Sequence, residues 1–150
     1  SQAAGPNGMV GGQAIDLESE GHSIDMALLR KMHMGKTGAL FRAAIRSGAI
    51  LADAHPVELK ALTSYAECFG LAFQITDDIL DVEGDETAIG KPVGSDIRNQ
   101  KSTYVTLTSL QEAHVLAGQA VENALEALTI FDDKANFLRE LVKSLLTRNK

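Results

Sequence analysis

Apolar and polar positions follow a helical period along most of the chain, and few stretches alternate as a strand would. The best window starts at Asp25, a suitable N-cap, and runs to about Leu51. Counted at about 100° per residue from Lys36, Leu29, Met32, Leu40, Ala43 and Ile50 fall on one stripe. Arg30, Lys31, Arg42 and Arg46 gather opposite, whereas Lys36 lies on the apolar stripe. A second helix is expected from Pro56, suited to a first turn, to about Glu83, where Gly84 can end it. Between Gly84 and Gln100 the residues Gly84, Gly90, Pro92 and Gly94 break any period and predict a long loop. Loops of that length usually serve a function or are disordered. Helical patterns return over Thr103–Ser109, Gln111–Phe131 and Lys134–Thr147. The opening is Gly-rich and no repeat period shows. The fold class expected is all-α.

Composition narrows the picture without changing it. One hundred and fifty residues are one domain's length, and 45% apolar with 23% charged residues is the balance of an ordinary globule. A net charge of −6 argues against a nucleic-acid surface, although a local basic site could still hold a small phosphate ligand. Cys68 is the single cysteine, so no internal disulfide forms, which favours a reducing, cytoplasmic setting. No uncharged apolar run approaches the roughly 20 residues that span a bilayer. Ser1-Gln2-Ala3-Ala4-Gly5 has neither an initiator Met nor the features of a signal peptide, so the chain is expected to be a piece of something longer.

The segment Gln74-Ile75-Thr76-Asp77-Asp78-Ile79-Leu80-Asp81 carries the most chemistry. On a helix its three aspartates share a polar stripe with no cation within a turn. Like charges at helical spacing cost only about 0.2–0.5 kcal/mol each when exposed, and Lys60, Thr63 and Glu67 extend the same stripe upstream. Spacing therefore leaves two readings open, a solvated face and a hard-cation site. The second suits Mg²⁺, which takes one or two carboxylates and completes its shell with water and phosphate oxygens.

Lys36 is flanked by Gly35 and Gly38 and followed by Thr37. Such glycines cost a helix about 1 kcal/mol each relative to alanine, and they would admit another backbone or a ligand. A snorkelling lysine explains Lys36 as simply as an anion site does. Gly90-Lys91-Pro92-Val93-Gly94 lacks the spacing of a Walker-type loop. Its place after the acidic cluster, with Asp96 and Lys101 beyond, would let lysines close over a metal-bound diphosphate.

Taken together these motifs resemble the trans-isoprenyl diphosphate synthases, most of all the bacterial farnesyl diphosphate synthases (geranyltranstransferases). The resemblance rests on Gly11-Gly12-Gln13-Ala14-Ile15-Asp16-Leu17, on His33-Met34-Gly35-Lys36-Thr37-Gly38-Ala39-Leu40, and on Gly70-Leu71-Ala72-Phe73-Gln74 leading into Asp77-Asp78-Ile79-Leu80-Asp81. It continues through Gly90 to Asp96 and through Lys101-Ser102-Thr103-Tyr104, and covers essentially the whole chain. The resemblance implies the C-terminal part of an isoprenoid synthase helical bundle, with long helices around a central cavity. It implies a Mg²⁺-dependent prenyltransferase joining an allylic diphosphate to isopentenyl diphosphate. By the same resemblance Asp77, Asp78, Asp81 and Asp16 would serve the metal, and Lys36, Lys91 and Lys101 the allylic diphosphate. Gln74, Thr37 and backbone carbonyls near Lys36 would stabilise the allylic cation.

One departure matters. Residues 1–60 contain no second DDxxD, and Asp25 and Asp53 stand alone. The family's first Asp-rich motif is therefore missing, and these 150 residues alone are expected to show negligible synthase activity. Apolar faces left without upstream helices predict self-association or a homodimer. The competing readings are a non-catalytic dimer partner of the same fold and a terpene cyclase.

Overall fold

A computed structural model describes residues 2–84 and 94–148, and among them every regular element is helical. The α-helices are α1 (Met9–Glu18), α2 (Met26–His33), α3 (Ala39–Leu51), α4 (Pro56–Glu83), α5 (Ser95–Arg98), α6 (Tyr104–Leu107), α7 (Leu110–Ala127) and α8 (Asn136–Ser144). The all-α expectation holds. Asp25 caps α2, accepting the Leu28 N–H at 2.8 Å. Pro56 opens α4, whose first turn is closed by the His55 N–H donating to Glu58 at 2.7 Å, and Gly84 follows its last residue. Most of the predicted loop, Lys91 included, lies outside the described residues. Its far end winds into the short α5.

Helix α4 is the spine. Tyr65, Phe69 and Ala72 on one side meet Ala120, Val121 and Ala124 of α7 and Val142 of α8. On the other side Ile75 and Ile79 meet Leu29 and Met32 of α2, Tyr104, and Ala113 and Ala117 of α7. The alanines of α7 keep its near face shallow, so α4 packs closely against it along its length. Burying side chains such as Leu29 and Ile75, 0% and 1% exposed, contributes about 1.5–3 kcal/mol each. The Tyr65 hydroxyl donates to the Leu138 carbonyl at 2.8 Å and ties α8 to the spine.

Two features depart from the sequence pattern. Helix α1 lies in the Gly-rich opening, where intrinsic propensity is poor. Its glycine is used for contact: a Cβ on Gly12 would fall 2.0 Å from the Lys36 backbone nitrogen. The second is a π-helical turn over Met34–Gly38 that joins α2 to α3. Its extra residue rotates everything after it about the helix axis. Leu29 and Met32 are buried as expected, but Leu40 and Ile50 are 42% and 56% exposed, and α3 turns Ala39 and Ala49 inward instead. The same turn meets α4 where Gly70 faces Gly38, with a Cβ at 70 only 3.2 Å from the Gly38 Cα.

Gly12→Ala is accordingly expected to destabilise the fold by about 3 kcal/mol, the upper end for overpacking, because backbone has little room to yield. Urea unfolding measures it. A gain of roughly 0.5–1 kcal/mol, as Gly→Ala gives in an open helix, would show that α1 does not press on Lys36.

Candidate functional site

The π turn, the C-terminal half of α4, the end of α1 and the segment before α6 converge on a pocket of about 190 Å³. Asp16, His33, Lys36, Gln74, Asp77, Asp78 and Lys101 all line it. Residues spread over 85 positions are thus gathered on one cavity, six of them among the sequence-derived candidates.

Asp16 sits at the centre of the basic side. Its Oδ2 accepts from Lys36 Nζ at 2.6 Å and its Oδ1 from Lys101 Nζ at 3.5 Å, and Glu20 lies 3.9 Å from Lys101. Burial alone would raise the Asp16 carboxyl, but Lys36 and then Lys101 outweigh it and hold the group below its ordinary value. The glycines beside Lys36 do admit other backbones, Gly35 that of α1 at Gly12 and Gly38 that of α4 at Gly70.

The acidic side is built as a relay. Thr37 Oγ1 donates to Gln74 Oε1 at 3.2 Å, and Gln74 Nε2 donates to Asp78 Oδ1 at 3.3 Å. The Tyr104 backbone N–H donates to Asp78 Oδ2 at 2.8 Å. Asp78 is 3% exposed. Burial pushes its carboxyl up to about 7, opposed by the Tyr104 and Gln74 hydrogen bonds and reinforced by Asp96 and Asp77. Asp78 therefore does not belong to a solvated face.

Asp81, also 3% exposed, has different partners. Its Oδ1 accepts from the Ser95 hydroxyl at 2.6 Å and from the Ser95 N–H at 3.2 Å, and its Oδ2 from the Asp96 N–H at 3.0 Å. It anchors the first turn of α5 and does not line the pocket. Asp77 is the most open of the three, its side chain 38% exposed, with Arg148 Nη2 at 3.5 Å. That guanidinium also lies 4.8 Å from the Phe73 ring centre.

Among the described residues no group of three or more His, Cys, Asp and Glu side chains is already arranged around a metal position. The donor chemistry nevertheless suits a hard cation. Four carboxylates, Asp16, Asp77, Asp78 and Asp96, line the pocket against two lysines. An anion as charged as a diphosphate enters such a site only with added cations, and oxygen-only donors select Mg²⁺ over softer metals.

His33 was legible only as part of a motif. It is 7% exposed, its Nδ1 is enclosed without a hydrogen-bond partner, and its ring centre lies 5.7 Å from that of Tyr104. Burial pushes the imidazole down to about 4, with Asp16 opposing and Lys36 and Lys101 assisting. The unfolded chain therefore binds this proton from about pH 6.5 downward while the native chain does not, so stability must fall as pH drops from 6.5 to 4. Asp78 slopes the other way, because its native carboxyl holds a proton that the unfolded chain releases. Comparing the protein with His33→Gln isolates the histidine. Between pH 7 and pH 4 the variant should gain roughly 3 kcal/mol relative to the parent in chemical unfolding. Parallel pH profiles would mean that the imidazole is protonated in the fold.

Arg148 carried no signal of its own, and Tyr104, like His33, was legible only as part of a motif. Arg148 and Tyr104 each act through a contact that joins distant parts of the chain.

Comparison with known proteins shows the family. The family model described as polyprenyl synthetase matches residues 4–142. A geranylgeranyl diphosphate synthase of Cyanophora paradoxa is 42% identical over 144 residues, 95% of this chain and 48% of the relative. The farnesyl diphosphate synthase of Escherichia coli strain K12 is 42% identical over 154 residues, 100% of this chain and 52% of the relative. The crystal structure of a Helicobacter pylori geranyltransferase complexed with magnesium and isoprenyl diphosphate superposes with a TM-score of 0.80 at 30% identity, over 98% of this chain and 48% of that one. The chain spans about half the length of the curated relatives it matches. No described helix is long and apolar enough to cross a membrane.

Proposed function

We propose that this chain, which belongs to the polyprenyl synthetase family, is the C-terminal portion of a trans-prenyltransferase that joins an allylic diphosphate to isopentenyl diphosphate. The observation that carries the reading is the meeting of Lys36, Lys101 and Asp16 with Gln74, Asp77 and Asp78 on one pocket. Lys36 and Lys101 bind and orient the allylic diphosphate, exchanging part of their pairing with Asp16 for phosphate oxygens. Lys91, outside the described residues, would join them as the resemblance implies. Mg²⁺, which the Helicobacter pylori neighbour holds with its isoprenyl diphosphate, would rest on Asp77 and Asp78, with Asp16 facing it from α1. When bound it neutralises the charge of the departing diphosphate. Asp81 supports the site from behind by fixing Ser95 and Asp96.

The reaction needs an allylic C–O bond to break with the electron pair leaving on oxygen. It needs the resulting cation held until the isopentenyl double bond attacks it, and a proton then leaves to restore a double bond. Thr37 and Gln74 present oxygens that stabilise positive charge, and neither is a nucleophile strong enough to trap it. Their hydrogen bond at 3.2 Å holds both in place, so little reorganisation accompanies ionisation. With its imidazole pushed down to about 4 by burial, His33 is too weak a base to compete for the departing proton.

The rest of the cavity, with the first Asp-rich motif, belongs to the part of the relatives' length that this chain does not span. A second copy of the chain is a fitting partner, because α1 and α3 carry Leu17, Ile50 and Leu51 at 59%, 56% and 86% exposure. A cytoplasmic setting suits the lone Cys68 and the charged substrates.

Incubating the complete enzyme with geranyl and isopentenyl diphosphates is the test. The expected products are inorganic diphosphate and a prenyl diphosphate five carbons longer, both abolished by EDTA. The 150 residues alone should turn over negligibly. A cyclic hydrocarbon as the product, or no diphosphate release at all, would overturn the proposal.

A further inference from the structure

A second cleft, of about 390 Å³, opens between α2, α4 and α7 and shares no lining residue with the acidic pocket. Met26, Leu71, Ile75 and Leu116 supply apolar lining, and Arg30 and Tyr104 line the cleft with them, near enough for the Arg30 charge to act on the Tyr104 hydroxyl. Tyr104 is 2% exposed, yet its hydroxyl is enclosed with no hydrogen-bond partner. Buried hydroxyls without partners are rare and costly, so an unfilled donor lining a cleft is a mark of a missing ligand. We infer that this cleft binds a small amphipathic monocarboxylate, its hydrocarbon on the Leu71 and Ile75 wall and its head between Arg30 and the Tyr104 hydroxyl.

The charges select that class. Arg30 is the one cation among the described residues lining the cleft, which matches a single negative charge and not a diphosphate, and Glu112, also in the lining, opposes a higher charge. A tyrosine hydroxyl carries its proton at neutral pH and can donate it to a carboxylate. The volume falls in the range of small-molecule sites. Tyr104 also reports occupancy, because its own backbone N–H is the one that donates to Asp78.

The inference does not depend on the prenyltransferase reading, and its test reads binding alone. Octanoate is titrated into the isotope-labelled full chain, with octylamine and inorganic pyrophosphate as comparison probes. Octanoate should give saturable shifts of the Tyr104 amide and the Ile75 methyls, and octylamine should not. Arg30→Ala should weaken octanoate about tenfold or more, as expected for loss of a hydrogen bond to a charged group. Tyr104→Phe should also weaken it while folding at least as stably, because the lost hydroxyl has no partner in the free protein. Gln119→Trp, at an exposed position on the mouth, should block entry with the helical circular dichroism unchanged. Absence of saturable shifts, an equal response to octylamine, or binding that survives both Arg30→Ala and Gln119→Trp would overturn the inference. Shifts caused by pyrophosphate at the same residues would contradict the monoanion selectivity.

Discussion

Lys36→Ala is expected to lower kcat/KM for the allylic diphosphate by about 10²–10³-fold, the usual cost of removing one preorganised charge-stabilising donor. The loss has two sources. The diphosphate loses a cation placed where negative charge develops. Asp16 is left with Lys101 at 3.5 Å as its remaining lysine partner, so its carboxyl rises back toward the ordinary range and the acidic excess of the pocket grows. The effect on folding should be much smaller, because the Lys36 side chain is 35% exposed and its pair is partly screened. Steady-state kinetics with urea unfolding separates the two. A variant that loses stability and activity in proportion would mark Lys36 as a packing residue with no part in the reaction.

Asp78→Asn should separate stability from activity in the opposite direction. In metal-free buffer above pH 7 the native carboxylate is charged at a site 3% exposed, beside Asp77 and Asp96. Its native carboxyl, pushed up to about 7, loses its proton at higher pH than the unfolded one. Ionisation therefore costs stability as pH rises from about 4 to 7, and the amide avoids that cost. The variant should be more stable by on the order of 1 kcal/mol at pH 8, with the gain vanishing below about pH 4. The Gln74 hydrogen bond, which needs a second acceptor oxygen, offsets part of it. Activity with Mg²⁺ should fall at least about 10²-fold, since a neutral amide is a poor ligand for a hard cation. An enzyme that stays active and gains nothing in stability would place Asp78 outside the charged cluster.

How far the chain could be read before its structure depended on the range of the physics involved. Local signals sufficed for α4, where Pro56 and Gly84 mark the ends, and for the Asp25 cap. They also sufficed to single out Lys36, a cation on an apolar stripe. Helix α1 was illegible because Gly12, which weakens it locally, is needed for its contact with the Lys36 backbone, a tertiary reason. The π turn was illegible because its extra residue is chosen by the fit of Gly38 against Gly70, and it invalidated the Leu40 and Ile50 end of the stripe. Among the aspartates, spacing showed three equivalent carboxylates. Contacts from 14 to 26 residues away make them different, Tyr104 for Asp78 and Ser95 for Asp81.

Calorimetry of Mg²⁺ and pyrophosphate binding to the complete enzyme, for the parent and for Asp77→Ala, tests the central claim most directly. The parent should bind pyrophosphate tightly only when Mg²⁺ is present, and Asp77→Ala should lose most of that Mg²⁺-dependent heat while keeping its helical content. Equal pyrophosphate binding with and without Mg²⁺, or a variant that binds as the parent does, would contradict the claim that these aspartates hold the metal for a diphosphate.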